Sequence, residues 1–337
     1  MTVSNAFSHP DQLSSELRAR ILAAADTLGY IGPDPVGRAL ARGSTGAVGV
    51  LLTDSLHEAF TDEIATTFLA AIVEELAPTG LALTLLTASD RDDVVPARDL
   101  ALDGALVYSC RPESAARDWL IRRRLPLVFV DQDPAPGIPT VNVDDRGGAR
   151  AAAQHLLDLG HRHIDIVTRS IDGSIGLVTD PLASWQGHPQ RERMLGWLDA
   201  LRAASVNPSV VLVPHHSDDD LRTAAMTLLT APEPPTAVLC FSDVVAFSVI
   251  DAAVELGLNV PDDVSVVGFD DSPAASRRSP HLTTVRQDVS AKGRAAAHAL
   301  TRTIERARSG TKTRPRHILL PTALVVRQST GSPRRER

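Results

Sequence analysis

Short apolar runs alternate with longer amphipathic segments from residue 47 almost to the end of the chain. The apolar runs are rich in valine, isoleucine and leucine and lack the polar alternation of a half-exposed strand. Such runs are typical of parallel strands covered by helices on both faces. The pattern predicts strands over 47–52, 81–86, 104–108, 127–130, 141–143, 164–167, 210–213, 237–240, 264–269 and 318–326. It predicts helices over 62–76, 92–101, 114–124, 147–158, 190–204, 218–229, 243–256 and 290–308.

The number of predicted strands bears on the architecture. A chain of 337 residues can form two substantial domains. The strand count favours two doubly wound sheets over a single open one. A closed barrel of eight parallel strands is the competing architecture, and periodicity alone does not decide between them.

The first 30 residues carry a helical pattern instead. Val3, Ala6 and Phe7 have the i, i+3, i+4 spacing of a helix that has already begun. Ser14 is placed to cap a second helix, which we expect to end at Gly29. Two short helices cannot bury each other's apolar faces alone, so we expect a further segment that belongs before Met1.

Residues 34–43 predict one more short helix. Asp34 can cap its N-terminus, Pro35 suits its first position, and Gly43 can end it. Gly37 weakens the helix by roughly 1 kcal/mol relative to alanine, and so short a helix is marginal in isolation. We therefore expect this segment to become ordered on binding.

Composition limits the cellular context. Hydrophobic residues make up 43% of the chain and charged residues 22%, which is ordinary for a globular protein. No apolar run approaches the ~20 residues of a membrane span and no signal-peptide pattern is found, so we expect a cytoplasmic protein. Cys110 and Cys240 each lie at the end of an apolar run, as buried thiols do.

Net charge does not favour general nucleic-acid binding. The whole chain carries a net charge of −7. Residues 1–46 are neutral, with four arginines against four acidic residues. A neutral headpiece binds phosphate weakly. Basic residues are expected in whatever belongs upstream.

Motifs in both parts of the chain resemble the lactose-repressor (LacI/GalR) family. In the N-terminal part they are Thr2-Val3-Ser4, Leu13-Ser14-x-x-x-Arg18, Leu28-Gly29-Tyr30 and Arg38-Ala39-Leu40. In the remainder they are Gly160-His161-Arg162, Arg193-x-x-Gly196, Ser242-Asp243, Pro261-x-Asp263 continuing to Asp271, Leu282-Thr283-Thr284-Val285 and Arg327-Gln328-Ser329. They follow the family's order along nearly the whole chain.

The resemblance implies a sensor core like that of periplasmic sugar-binding proteins, in which two lobes are joined by three crossings. A partial all-α helix-turn-helix headpiece precedes this core. The implied divisions are headpiece 1–30, hinge helix and linker 31–46, first lobe 47–144 with 287–317, second lobe 145–286 with 318–330, and tail 331–337. Residues 169–190 are longer than the family's usual loop, and could form either a ligand lid or a surface excursion.

The resemblance also implies DNA contacts. Leu40 matches the residue that wedges between base steps in the minor groove, and Arg38 lies beside it on the hinge helix. Asn5 is expected to contact bases and Ser4 phosphate, because Thr-Val-Ser lies inside the family's recognition helix. The first helix and turn of that motif have no counterpart here. A start codon assigned too late is our preferred explanation.

An effector is expected between the lobes, at the carboxyl ends of the strands. The family positions that face this cleft are Arg193, Asp270, Asp144, Asp131 and Ser242. An arginine fork with carboxylates suits the paired hydroxyls of a sugar, or a ligand carboxylate on Arg193. Each charged residue could instead form a structural ion pair. Asp243 is expected to cap the following helix, and Trp185 and Phe60 to pack in the core or a lid rather than stack on a sugar.

Enzymatic interpretations are weak. Gly43-x-x-Gly46-x-x-Gly49 precedes a strand, whereas a dinucleotide fingerprint follows one. His215 and His216 lie near three aspartates at 218–220, but the spacing is not a metal-ligand pattern, and acidic residues suit a helix start. We expect no enzyme activity, no metal and no cofactor.

The sequence therefore predicts a cytoplasmic, homodimeric transcriptional regulator, most simply a repressor, that binds operator DNA and a small effector such as a sugar, without a membrane partner. The alternative is a truncated intracellular sensor that does not bind DNA by itself. The chain as it stands is expected to show weak or undetectable specific operator binding.

Overall fold

A computed structural model describes residues 2–8, 10–32, 34–52, 56–87, 96–109, 114–170, 175–182, 187–214, 218–311 and 314–334. Its strands are β1 Ala47–Leu52, β2 Ala82–Thr87, β3 Gly104–Tyr108, β4 Leu127–Val130, β5 Thr140–Val143, β6 Ile164–Arg169, β7 Gly176–Val178, β8 Val210–Val213, β9 Ala237–Cys240, β10 Ser265–Asp270, β11 Thr283–Gln287, β12 His317–Leu320 and β13 Thr322–Val325. Its helices are α1 Thr2–Ser8, α2 Ser15–Thr27, α3 Pro35–Arg42, α4 Leu56–Thr61, α5 Glu63–Leu76, α6 Pro96–Asp99, α7 Ala115–Arg122, α8 Asp145–Asp158, α9 His188–Ala203, α10 Asp218–Leu229, α11 Asp243–Glu255 and α12 Val289–Ser309.

The strands form two separate sheets. The first is wholly parallel, in the order β12-β5-β4-β3-β1-β2. The second has the order β13-β11-β10-β9-β6-β8-β7, and its two edge strands are antiparallel to their neighbours. The predicted pair of doubly wound sheets is confirmed, and the eight-stranded barrel is wrong.

One predicted strand is wrong in an informative way. Residues 318–326 do not form a single strand. Instead β12 pairs with β5 in the first sheet, and β13 pairs with β11 in the second. Pro321 separates them, and proline has no N–H with which to continue a strand ladder. The third crossing therefore lies at Pro321, not between residues 317 and 318.

The excursion at 169–190 contains an element that the sequence did not predict. Residues 176–178 form β7, which pairs antiparallel with β8 at the edge of the second sheet. A strand this short has no readable periodicity. The described part of this segment is therefore a sheet edge, while residues 171–174 and 183–186 lie outside the described residues.

The headpiece helices form as predicted but bury little. The Ser14 hydroxyl accepts a hydrogen bond from the Leu17 amide, at 3.3 Å, and caps α2. Ala6 and Ala25 are buried, whereas Val3 and Leu28 are 49% and 82% exposed. The expectation that two short helices cannot cover their own apolar faces is confirmed.

The hinge helix α3 has the predicted ends. Asp34 Oδ1 accepts a hydrogen bond from the Gly37 amide at 2.9 Å, Pro35 opens the helix, and Gly43 ends it with a left-handed backbone at φ +63°. Leu40 is 85% exposed. A large apolar side chain is thus presented to solvent on a well-capped helix.

Of the two cysteines, Cys240 has the expected buried position. Cys240 is buried in the second lobe, where burial raises the pKa of its thiol, while Cys110 lies outside the described residues. Among the described helices, none is both long and apolar enough to cross a bilayer.

We expect Gly196→Ala to destabilise the second lobe. A Cβ at Gly196 on α9 would lie 2.3 Å from the Arg146 carbonyl oxygen and 2.9 Å from the Ala149 Cβ on α8. Overpacking of this kind costs about 1–3 kcal/mol, measurable by urea unfolding followed by circular dichroism. Gly37→Ala is the matched control because its nearest neighbours lie at 3.9 Å or beyond. Equal unfolding midpoints for the Gly196 variant and the parent would contradict the close packing of α8 and α9.

Candidate functional site

A cavity of about 570 Å³ lies where strands of both sheets end. The lining residues at or just after those strand ends include Leu52, Tyr108, Asp131, Val213, Asp270 and Gln287. Carboxyl ends of parallel strands are the usual ligand-binding edge of such sheets. The cavity therefore occupies the predicted cleft between the lobes.

Arg193 on α9 is a cation of this cavity with contacts on several sides. Its Nε donates to Asp145 Oδ1 at 2.8 Å, and its Nη1 donates to the Phe241 carbonyl oxygen at 2.6 Å. Its Nη2 lies 3.5 Å from Asp270 Oδ1. The guanidinium also lies over the Phe269 ring, 3.5 Å from its centroid. The Arg193 side chain is 6% exposed, so these contacts fix it almost completely.

Asp270, at the end of β10, is buried beside Arg193. Its Oδ1 accepts a hydrogen bond from Gln287 Nε2 at 2.6 Å. Burial raises the pKa of Asp270 to about 7; Arg193 opposes this but lies closer to Asp145. Asp270 also has a φ of +120°, a strained value for a residue with a Cβ. Strain and a raised pKa together mark a position that the surrounding structure holds in place.

Lys292 extends the same chain of polar groups into the first lobe. This lysine of α12 is 1% exposed. Its Nζ donates to Asp131 Oδ2 at 2.6 Å and to Gln287 Oε1 at 3.0 Å. Asp131 follows β4 of the first sheet, whereas Gln287 ends β11 of the second. The Lys292–Gln287 hydrogen bond therefore joins the lobes beside the cavity.

Of the adjacent Asp144 and Asp145, it is Asp145 that contacts Arg193. Asp144 accepts a hydrogen bond from the Gly147 amide at 2.9 Å and caps α8. Asp145, in the first turn of that helix, is 1% exposed and pairs with Arg193, and burial raises its pKa. Asp144 was predicted at the cleft, but neither it nor Asp145 is among the residues that line the cavity, and Asp145 reaches the site only through its contact with Arg193. Both aspartates suit a helix start, so the sequence could not separate their roles.

Ser242, rather than Asp243, caps α11. Ser242 caps α11 by accepting a hydrogen bond from the Val245 amide, at 3.4 Å. Asp243 accepts from the Ser272 amide at 2.7 Å and from the Thr284 hydroxyl. The expectation that Asp243 is the cap is therefore wrong. Burial raises the pKa of Asp243 to about 6, and both residues line the cavity.

Acidic groups outnumber basic ones among the described residues of the cavity wall. The acidic residues are Asp62, Glu63, Asp131, Asp218, Asp243 and Asp270, and the basic ones are Arg169, Arg193 and Lys292. Two buried oxygen atoms of wall residues, Asp131 Oδ1 and Gln190 Oε1, have no hydrogen-bond partner in the described structure. No local pattern points to Gln190, which lies in the first turn of an ordinary amphipathic helix.

Other candidates lie elsewhere. Phe60 on α4 is 65% exposed, so of its two expected positions, the core and a lid, the core is wrong. Trp185, His215 and His216 lie outside the described residues. Among the residues that the structure describes, no cluster of three metal-ligating side chains exists.

The predicted DNA-contacting residues form a second group, in the headpiece and hinge. Ser4 is exposed on α1, and Asn5 of the same helix donates to Gln12 Oε1 at 2.9 Å. Arg38 is half-buried on α3, two residues before the exposed Leu40. Base and phosphate contacts would thus come from elements outside the two-lobed core.

Comparison with known proteins agrees with this architecture. A periplasmic binding protein-like domain family matches residues 153–330. An HTH-type transcriptional regulator of Mycolicibacterium smegmatis is 38% identical over 89% of this chain and 86% of its own length.

Two solved structures also resemble the chain along most of its length. A LacI-family transcriptional regulator from Corynebacterium glutamicum is 32% identical with a TM-score of 0.74, covering 98% of this chain and 94% of its own. A complex of the transcriptional regulator CelR with cellobiose is 25% identical with the same TM-score of 0.74, and the match covers 97% of this chain and 94% of CelR. The chain belongs to the LacI family of transcriptional regulators.

Proposed function

We propose that this protein is a cytoplasmic, homodimeric repressor whose DNA affinity is set by a small effector in the cavity between the lobes. The observation that carries the proposal is the buried chain Asp131–Lys292–Gln287–Asp270–Arg193–Asp145, whose first five members line the cavity and which joins the two sheets. A ligand shifts a conformational equilibrium only if it binds one state better than the other. A ligand that touches both lobes satisfies this condition.

The effector is proposed to be an uncharged polyhydroxylated molecule such as a sugar. Arg193 is already paired with two carboxylates and stacked on Phe269, which argues against a ligand carboxylate as its partner. The excess of acidic wall residues would repel a phosphate. The free oxygen atoms of Asp131 and Gln190 are acceptors, suited to hydroxyl donors. The related CelR structure contains cellobiose.

Within this proposal, α3 binds DNA when two copies meet. Val36 and Leu40 are spaced i, i+4 on one face and are 77% and 85% exposed. Leu40 is proposed to wedge between base steps, with Arg38 beside it and with Ser4 and Asn5 of α1 in the major groove. The alternative is a sensor that does not bind DNA by itself. The exposed apolar face of a well-capped helix favours the DNA-binding function.

We expect neutral sugars, but not their phosphates or the corresponding sugar acids, to raise the melting temperature. A ligand at a hundredfold over its Kd adds roughly 2.7 kcal/mol of stability. Cellobiose, ribose and related sugars would be compared with their anionic derivatives by differential scanning fluorimetry. Asp270→Asn should abolish most of the shift, and Arg222→Gln, which breaks an exposed ion pair with Glu255, should not. A larger shift with a phosphate than with its parent sugar would contradict the proposed ligand class.

We expect the affinity for that sugar to rise with pH. Burial raises the pKa of Asp270 to about 7, and the ionised carboxylate is the better acceptor for a ligand hydroxyl. The affinity should therefore rise by up to about tenfold per pH unit below 7 and level off above it. Isothermal titration from pH 6.5 to 8.5 measures this.

Charged groups that face Asp270 keep their charge state over most of this pH range. Arg193 stays charged throughout, and Asp243 titrates lower, with a pKa of about 6. The Asp270→Asn variant, titrated at the higher sugar concentrations that its weaker binding requires, should show a flat profile over this range. A parent profile without slope, or a slope that persists in the variant, would count against ionised Asp270 as the ligand's acceptor.

We expect Leu40→Ser to weaken specific DNA binding without affecting the core. Leu40 is 85% exposed, so its loss removes an inserted wedge and little internal packing. Because the chain as it stands is expected to bind operator DNA weakly, DNA would be selected from a random pool by the parent protein at low ionic strength and titrated by fluorescence anisotropy. Leu177→Ser, at a residue 64% exposed on β7, is the matched control. Failure of the parent to enrich any sequence would favour the sensor that does not bind DNA.

A further inference from the structure

Asp103 holds the residues through which the hinge helix enters the core. Its Oδ1 accepts hydrogen bonds from the Thr45 amide at 2.7 Å and the Thr45 hydroxyl at 3.1 Å. Its Oδ2 accepts from the Gly46 amide at 3.0 Å. The side chain is only 6% exposed. One carboxylate thus binds two successive backbone amides of the linker.

The linker between α3 and β1, residues 43–46, is short and hydrogen-bonded to the core. Gly43 ends α3, and β1 begins at Ala47. The Asp103 amide donates to the Ala47 carbonyl oxygen at 2.8 Å, and the Ala82 amide donates to that of Gly46 at 2.8 Å. Because so few residues separate α3 from the sheet, the position of Asp103 determines how α3 leaves the core.

The same carboxylate is bound to the far end of α12. Arg308, in the last turn of that helix, places Nη2 3.0 Å from Asp103 Oδ2. Near the first turn of α12 lies Lys292, which pairs with Asp131 at the cavity. At 1.5 Å per residue, Lys292 and Arg308 are about 24 Å apart along the helix. One continuous helix therefore has a cavity residue near one end and the hinge anchor at the other.

The packing of α12 favours movement as a rigid unit. A Cβ at Gly293 would lie 2.8 Å from the Phe68 carbonyl oxygen on α5, so the two helices are in close contact. Towards the other end, the Ile304 side chain packs against the Gly104 backbone at the start of β3. Closely packed elements shift as units rather than deforming continuously.

We propose that Asp103 and Arg308 form a positioning clamp through which α12 transmits the state of the Lys292–Asp131 pair to the hinge helix. The inference rests on the proposed function, since a ligand that competes for Asp131 would displace the Lys292 end of the helix. Neither Asp103 nor Arg308 lines the cavity. They set the orientation from which α3 reaches the operator.

The test is a double-mutant cycle read out by hydrogen exchange in the full chain, without ligand or DNA. The exchange rates of the Thr45 and Gly46 amides are measured by NMR relative to that of Val266, in the other lobe, so that a global loss of stability cancels. The variants are Arg308→Gln, Asp131→Asn and the two combined. Arg302→Gln, exposed on the same helix, is the matched control.

Each single variant is expected to speed exchange at Thr45 and Gly46 by about fivefold or more, the usual lower end of coupling between sites. The double variant should exchange no faster than Arg308→Gln alone, because the connection is already broken. Residues this far apart otherwise contribute additively. Arg302→Gln should leave both rates unchanged.

Additive effects, or no effect of Asp131→Asn on the linker amides, would show that the Asp103–Arg308 pair stabilises the linker locally and is not coupled to the Lys292–Asp131 pair. Lys292→Met repeats the cycle from the other member of the buried pair, so that the result does not depend on one variant. Because no effector or operator is used, the outcome is independent of whether the sugar panel finds a ligand.

Discussion

The arrangement of the lobes depends on a buried chain of charges centred on Arg193. A charge out of water is costly unless it is paired and hydrogen-bonded, and loss of one partner leaves the other uncompensated. Arg193 meets this requirement with Asp145 and Asp270, and Lys292 meets it with Asp131. Gln287 connects the two pairs by donating to Asp270 and accepting from Lys292. Because the pairs belong to different lobes, their mutual satisfaction ties lobe geometry to the chemistry of the cavity.

The opposite end of the molecule follows a different physical rule. The headpiece and hinge are stabilised by local capping, at Ser14, Asp34 and Gly43, rather than by burial. Their large apolar side chains remain exposed, so these elements gain stability chiefly when another surface covers them. A weakly self-stabilised hinge attached to a rigid core is well placed to respond to small changes in that core.

Much of the fold could be predicted from the sequence because parallel strands and helix caps leave local signals. The buried strands and the ends of α3 are examples. What could not be predicted depends on tertiary pairing. β12 and β13 form one apolar run, and only their hydrogen-bond partners show that they lie in different sheets.

The site was predicted less well, for a related reason. The sequence identified Arg193, Asp270, Asp131 and Ser242 as wall residues, but selected Asp144 where Asp145 contacts Arg193. Lys292 lies in an alanine-rich helix and looks like an ordinary surface lysine until the fold buries it. Asp103 likewise becomes informative only once Thr45 and Arg308 are seen to meet on it.

The central claim is that occupancy of the cavity changes the affinity for DNA. The most direct measurement is the Kd for a DNA duplex selected by this protein, determined with and without a saturating concentration of the sugar that stabilises it. The account predicts a change of about fivefold or more, in either direction. An unchanged Kd at saturating sugar would contradict it.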